Sequence, residues 1–112
     1  MKKLVADWEE NNNDPILRKA PHLIIAHAPK KDKAAPQACT VGLTYLELAA
    51  VSFGLGTCWA GYFQVAVGMS PPLQEALALP DDHQSFGAMM IGYPKFEYQR
   101  IPKRNEAQVI WR

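Results

Sequence analysis

The residues best suited to chemistry lie in one run, Gly54-Leu-Gly-Thr-Cys-Trp-Ala-Gly-Tyr-Phe63. Ala60 and Gly61 form a small-residue break at which another backbone or a flat ligand can approach closely. Gly54 and Gly56 also read as a plain helix stop, because glycine adopts the left-handed conformation of a C-terminal cap, and Gly61 as a turn. A second group, Arg100, Lys103 and Arg104, lies in a basic tail and taken alone reads as a solvated loop. The other reactive side chains form no recognisable constellation. His22 and His27 are five apart on an expected strand, so they face opposite sides and form no ligand pair, and His83 falls in an expected loop. Cys58 has no histidine near it in sequence and reads as a buried structural thiol. Asp81 and Asp82 read as a loop rather than a paired acid and base. Trp59 and Trp111 suit a core or an interface. No catalytic side chain and no metal site are expected.

The elements that position these residues follow from periodicity. Lys2–Glu10 suits a short helix with Leu4, Val5 and Trp8 on one face. Asn11 to Pro15 ends it, and Ile16 and Leu17 turn apolar contacts back to the core. His22–Ala28 is nearly continuous in apolar character, as in a strand buried on both faces, and Pro29 closes it. Pro36–Phe53 is the strongest helix signal. Its polar residues Gln37, Thr40, Thr44 and Glu47 make one narrow stripe, and the rest of its circumference is apolar. A domain of this size scarcely encloses such a helix, so a partner subunit is expected over one face. Thr57–Trp59 reads as extended and Tyr62–Val67 as a helical turn or more. Ser70 caps a short helix that starts with Pro71 and Pro72. Ser85–Gly92 reads as a buried strand, and Ala107–Trp111 as a last strand. Strands alternating with helices give an α/β or α+β layer structure, a sheet of three to four strands on one long, very apolar helix.

Composition narrows the function classes. The 112 residues suit one domain, 1–112, with 48% apolar and 21% charged residues. A net charge of +1 gives no reason to expect a nucleic-acid partner. Charge is uneven, however: Lys95–Arg112 carries five basic residues against Glu97 and Glu106. Two cysteines far apart in sequence point to a reducing compartment. Asp7, Trp8, Glu9 and Glu10 interrupt any apolar leader, and the longest apolar stretch contains Thr44, Glu47 and Ser52. A cytoplasmic protein without a membrane span is expected.

The run Gly54–Phe63, directly after the long helix, resembles the GLGTCW helix-end motif of the nitroreductase family. The closing segment is similar to that family's GYP…R-x-P-x-R…V-x-W ending: Gly92-Tyr-Pro94, then Arg100-Ile-Pro-Lys-Arg104, then Val109-Ile-Trp111. Ala20-Pro-His-Leu-Ile-Ile25 resembles the strand before the long helix, so the likeness covers roughly residues 4 to 112. It implies an FMN-dependent oxidoreductase that takes hydride from NAD(P)H and passes it to a quinone or nitro compound. It also implies an intertwined homodimer with the flavin at the interface. Trp59, Ala60, Gly61 and Tyr62 match the loop along the isoalloxazine edge, whose backbone N–H groups lie near N5. Arg100 matches a basic residue that reaches the flavin phosphate, assisted by Lys103 or Arg104; arginine's planar fork suits that group. Family members also carry an N-terminal Arg-Ser-x-Arg-like segment that grips the phosphate, and this sequence enters the pattern after it. The expectation is therefore a truncated, C-terminal part of the pattern with weakened FMN affinity. Two alternatives follow: a non-catalytic dimeric scaffold or small-ligand-binding module keeping the fold, and a chain that completes a site with a separate one.

Overall fold

The computed structural model describes residues 2–112, which form four helices and three strands. In chain order they are α1 (Lys2–Asn11), β1 (His22–Pro29), α2 (Ala35–Ser52), β2 (Gly56–Trp59), α3 (Gly61–Met69), α4 (Pro71–Ala76) and β3 (His83–Gly92). The sheet order is β1-β3-β2, and β3 runs antiparallel to both neighbours. β1 and β2 are therefore parallel to each other, joined by the crossover helix α2, with the last strand inserted between them.

Local signals explain most boundaries. A proline in the first turn of α2 needs no hydrogen-bond partner for its missing N–H. Thr40 and Thr44 bond their hydroxyls back to the carbonyls of Pro36 and Thr40, each at 2.8 Å, so these two members of the polar stripe are satisfied within the helix. Gly54 follows α2 with φ +68°, where a side chain would be strained. Ser70 caps α4, its hydroxyl accepting from the Leu73 N–H at 3.4 Å.

The sheet is covered on both faces. In β3, Ala88 and Met90 lie opposite Ile25 and Leu23 of β1 and pack with Ala60, Phe63 and Val67 beneath α3. Ile16, Leu17, Leu73 and Leu77 close this layer. On the other face, Met89 is fully buried, and Gly87 lies so close to α2 that an added Cβ would sit 2.8 Å from Leu43 Cδ1. The pairing slips between Ala26 and His27: Ala26 lies opposite Gly87 but His27 opposite Ser85, leaving Phe86 as the extra residue of a β-bulge.

Three expectations are corrected. Ala107–Trp111 forms no strand: residues 93–112 have no helix or strand, and Val109, Ile110 and Trp111 are exposed. The sheet thus has three strands. The segment carries apolar residues, but it pairs with neither edge strand, β1 or β2. His83 is not in a loop but opens β3. Cys58 is exposed rather than buried, because β2 is an edge strand of the sheet.

Candidate functional site

Two features meet at the junction of β2 and α3. The Ala60 N–H donates to the Ala88 carbonyl at 2.9 Å, which extends the β2–β3 pairing by one residue. The chain then enters α3 with Ala60 as N-cap, without a side-chain cap, and the first intrahelical bond runs from the Gln64 N–H to the Ala60 carbonyl at 3.0 Å. Among the described residues, the N–H groups of Gly61, Tyr62 and Phe63 have no acceptor. A helix N-terminus with free donors favours an electron-rich or anionic group, through both the N–H groups and the helix dipole. The space is open: a Cβ placed on Gly61 would meet nothing within 4 Å.

The aromatic residues flanking this junction are accessible. Tyr62 is 65% exposed and Trp59 41%. The Trp59 indole N–H donates to Glu47 Oε2 of α2 at 3.3 Å, and its Cζ3 would lie 3.6 Å from a Cβ added at Gly87 of β3, so the ring lies on the α2 face of the sheet. Of the sequence-predicted residues, Trp59, Ala60, Gly61 and Tyr62 are thus held together, but the Ala60 N–H is used within the sheet. Arg100, Lys103 and Arg104 are exposed on the irregular tail.

A groove of about 830 Å³ opens beside β2, between the second half of α2, the turn before β1 and the start of the tail. Arg18, Lys19, Thr57, Cys58, Tyr93 and Tyr98 are among its walls. It reaches the predicted loop only as far as Cys58, and neither Trp59–Tyr62 nor the three tail cations line it. Sequence reasoning missed Arg18 and Lys19. Both adopt left-handed backbone conformations, φ 54° and 57°, which side chains other than glycine rarely take. The turn is held by Asp14, whose carboxylate accepts from the Ile16, Leu17 and Lys19 amides at 3.1, 2.9 and 3.1 Å. Burial raises the Asp14 pKa, but the hydrogen bonds from the Leu17, Lys19, Ile16 and Arg18 amides outweigh it and leave it lowered. An aspartate followed by Pro-Ile-Leu was the only signal for this turn in the sequence.

The sequence model of the nitroreductase family matches residues 2–93. The chain belongs to the nitroreductase family. Solved structures agree on the fold. A nitroreductase with bound FMN from Bacteroides fragilis NCTC 9343 superposes with a TM-score of 0.70 at 20% identity, over 95% of this chain and 59% of its own. An FMN-dependent nitroreductase from Clostridium difficile R20291 gives 0.59 at 23% identity, over 76% and 52%. Oxidised iodotyrosine deiodinase bound to FMN and 3-iodo-L-tyrosine gives 0.57 at 22% identity, over 99% and 56%. The chain spans between 52% and 59% of the length of these three relatives. No curated protein gives a significant match. No helix among the described residues is long and apolar enough to cross a membrane.

Proposed function

We propose that this chain is an FMN-binding oxidoreductase unit of the nitroreductase type. The observation that carries the reading is the start of α3: three adjacent N–H groups without acceptors, beside a glycine with open space above it. These are the properties needed to receive the edge of a flat, electron-rich ring. FMN, when bound, supplies the ring that takes hydride from NAD(P)H and hands it to a quinone or nitro compound. The Gly61 and Tyr62 amides would hold the edge of that ring and supply fixed donors to an electron-rich group without reorganising. Arg100 would hold the phosphate, with Lys103 or Arg104 assisting.

The same reading assigns the exposed face of α2 to a second copy of the chain. Val41, Tyr45, Leu48 and Val51 recur at helical spacing and are 48%, 72%, 69% and 74% exposed. A stripe of this kind is typical of a subunit interface. Two free cysteines suit a reducing compartment such as the cytoplasm.

A second reading, a dimeric scaffold that no longer turns over, is favoured by one observation: the tail cations line neither the groove beside β2 nor the cavity beneath α4. NAD(P)H oxidation with a quinone or a nitroaromatic, with and without added FMN, separates the two. FMN-dependent turnover supports the oxidoreductase. Absence of turnover despite bound FMN supports the scaffold.

A further inference from the structure

The histidines that the sequence separates widely meet at the end of the sheet far from β2. His27 of β1 lies opposite Ser85, and His83 is two residues before Ser85 on β3, so the two histidines are diagonal neighbours on one face. The bulge at Phe86 sets that register. His27 Nδ1 and His83 Nδ1 are 2.8 Å apart, with ring centroids separated by 5.0 Å and planes inclined at 56°. His27 is exposed and His83 half-buried, so the space between them is reachable from solvent. On the outer side of His83, Nε2 is 3.8 Å from Asp82 Oδ1.

From this geometry we infer that His27 and His83 form a two-histidine site for an imidazole-preferring divalent transition ion such as Zn²⁺ or Cu²⁺. Two Nδ1 atoms converge on one point, from two strands whose spacing the sheet fixes. In the metal-free state one ring donates Nδ1–H to the other's Nδ1. On binding, that ring shifts its proton to Nε2, and both Nδ1 lone pairs are free for the ion with no net release of a proton from the neutral pair. Two metal–nitrogen bonds at a tetrahedral angle need the nitrogens about 3.3 Å apart, a separation reached by a small rotation of the exposed His27 ring. The His83 Nε2–H then faces the Asp82 carboxylate, the outer arrangement that fixes the tautomer and raises the basicity of a ligating imidazole. Water completes the coordination, since no group of three or more His, Cys, Asp or Glu residues converges among the described residues. Imidazole nitrogens select Zn²⁺, Cu²⁺ and Ni²⁺ over Mg²⁺ and Ca²⁺, which prefer oxygen. His83 lies six residues before Met89, the partner of Trp59, so the site is about 20 Å along β3 from the α3 junction. It stands independently of the flavin reading.

The test uses tag-free protein, titrated with ZnCl₂ by calorimetry and with Cu²⁺ by electron paramagnetic resonance. Saturable binding of one Zn²⁺ is expected, weakened at least tenfold in both His27→Gln and His83→Gln and unchanged in Cys58→Ser. The Cu²⁺ spectrum of the parent protein is expected to carry hyperfine structure from two equatorial nitrogens. Binding retained in both histidine variants, or lost in Cys58→Ser, overturns the site. A Cu²⁺ spectrum with one or no imidazole nitrogen overturns it without recourse to any variant.

Discussion

Gly61 and Gly92 are both glycines at strand or helix ends, yet they are constrained in opposite ways. At Gly61 an added Cβ meets nothing within 4 Å, so nothing in the chain itself requires a small residue there. Leucine is a good helix former and suits the first turn of α3 on propensity. Gly61→Leu is therefore expected to fold like the parent while placing a side chain where the proposed ring lies. At Gly92 an added Cβ would sit 2.9 Å from Pro21 Cδ and 3.0 Å from Cγ, and the proline ring has no freedom to swing aside. Gly92→Ala is expected to lower stability by about 1–3 kcal/mol, the usual cost of overpacking, measurable by urea unfolding. An unchanged midpoint would mean that the chain before β1 moves away freely.

The elements differ in how they are held. α2 and the sheet are fixed by apolar burial on both faces of β3, whereas the turn from Asp14 to Lys19 depends on one carboxylate. Asp14→Ala removes the carboxylate that accepts from three amide N–H groups and is expected to cost about 1–2 kcal/mol. The pH dependence has a definite sign. Because the folded pKa of Asp14 is lowered, its contribution is complete above the ordinary carboxylate range and is lost as pH falls through that range to the lowered value. Acid unfolding followed by circular dichroism should therefore be shallower for Asp14→Ala than for the parent. Equal acid sensitivity would contradict the assigned role. Six of the seven elements were legible in the sequence because each carries its own local signal: a period, a proline in the first turn, a glycine stop or a serine cap. β3 was legible only from Ser85, since His83 and Gln84 are polar and are drawn into the strand by pairing with Pro29 and Ala28. The strand expected at Ala107–Trp111 failed for the converse reason. Its apolar residues satisfy strand propensity, but propensity supplies no partner edge.

On the scale of the whole molecule, the chain is more open than its length suggests. Its radius of gyration is 17.0 Å, whereas a compact domain of this length has about 13 Å. The irregular residues 93–112 expose Tyr93, Phe96, Tyr98, Ile101, Ile110 and Trp111. These, with the outer stripe of α2, form the apolar surface that a second copy is proposed to cover. Leu48→Glu is expected to convert a dimer to a monomer in sedimentation velocity while leaving the circular dichroism unchanged. A monomeric parent protein would contradict this assignment. The candidate site was partly legible for a related reason. The run Trp59–Tyr62 is contiguous, so sequence alone brings it together, and the free amides at Gly61 and Tyr62 follow from the helix start. The groove beside β2 and its Arg18–Lys19 wall are assembled from segments some forty residues apart, and no spacing rule reports them.

Whether the start of α3 receives a flavin ring is decided by titrating the purified chain with FMN and following flavin fluorescence, in parallel for the parent and Gly61→Leu. Saturable binding by the parent is expected with a Kd near micromolar or tighter, about −8 kcal/mol, with a loss of at least tenfold in Gly61→Leu at unchanged stability. Absence of saturable binding by the parent, or equal binding by the two, would contradict flavin binding at that helix start.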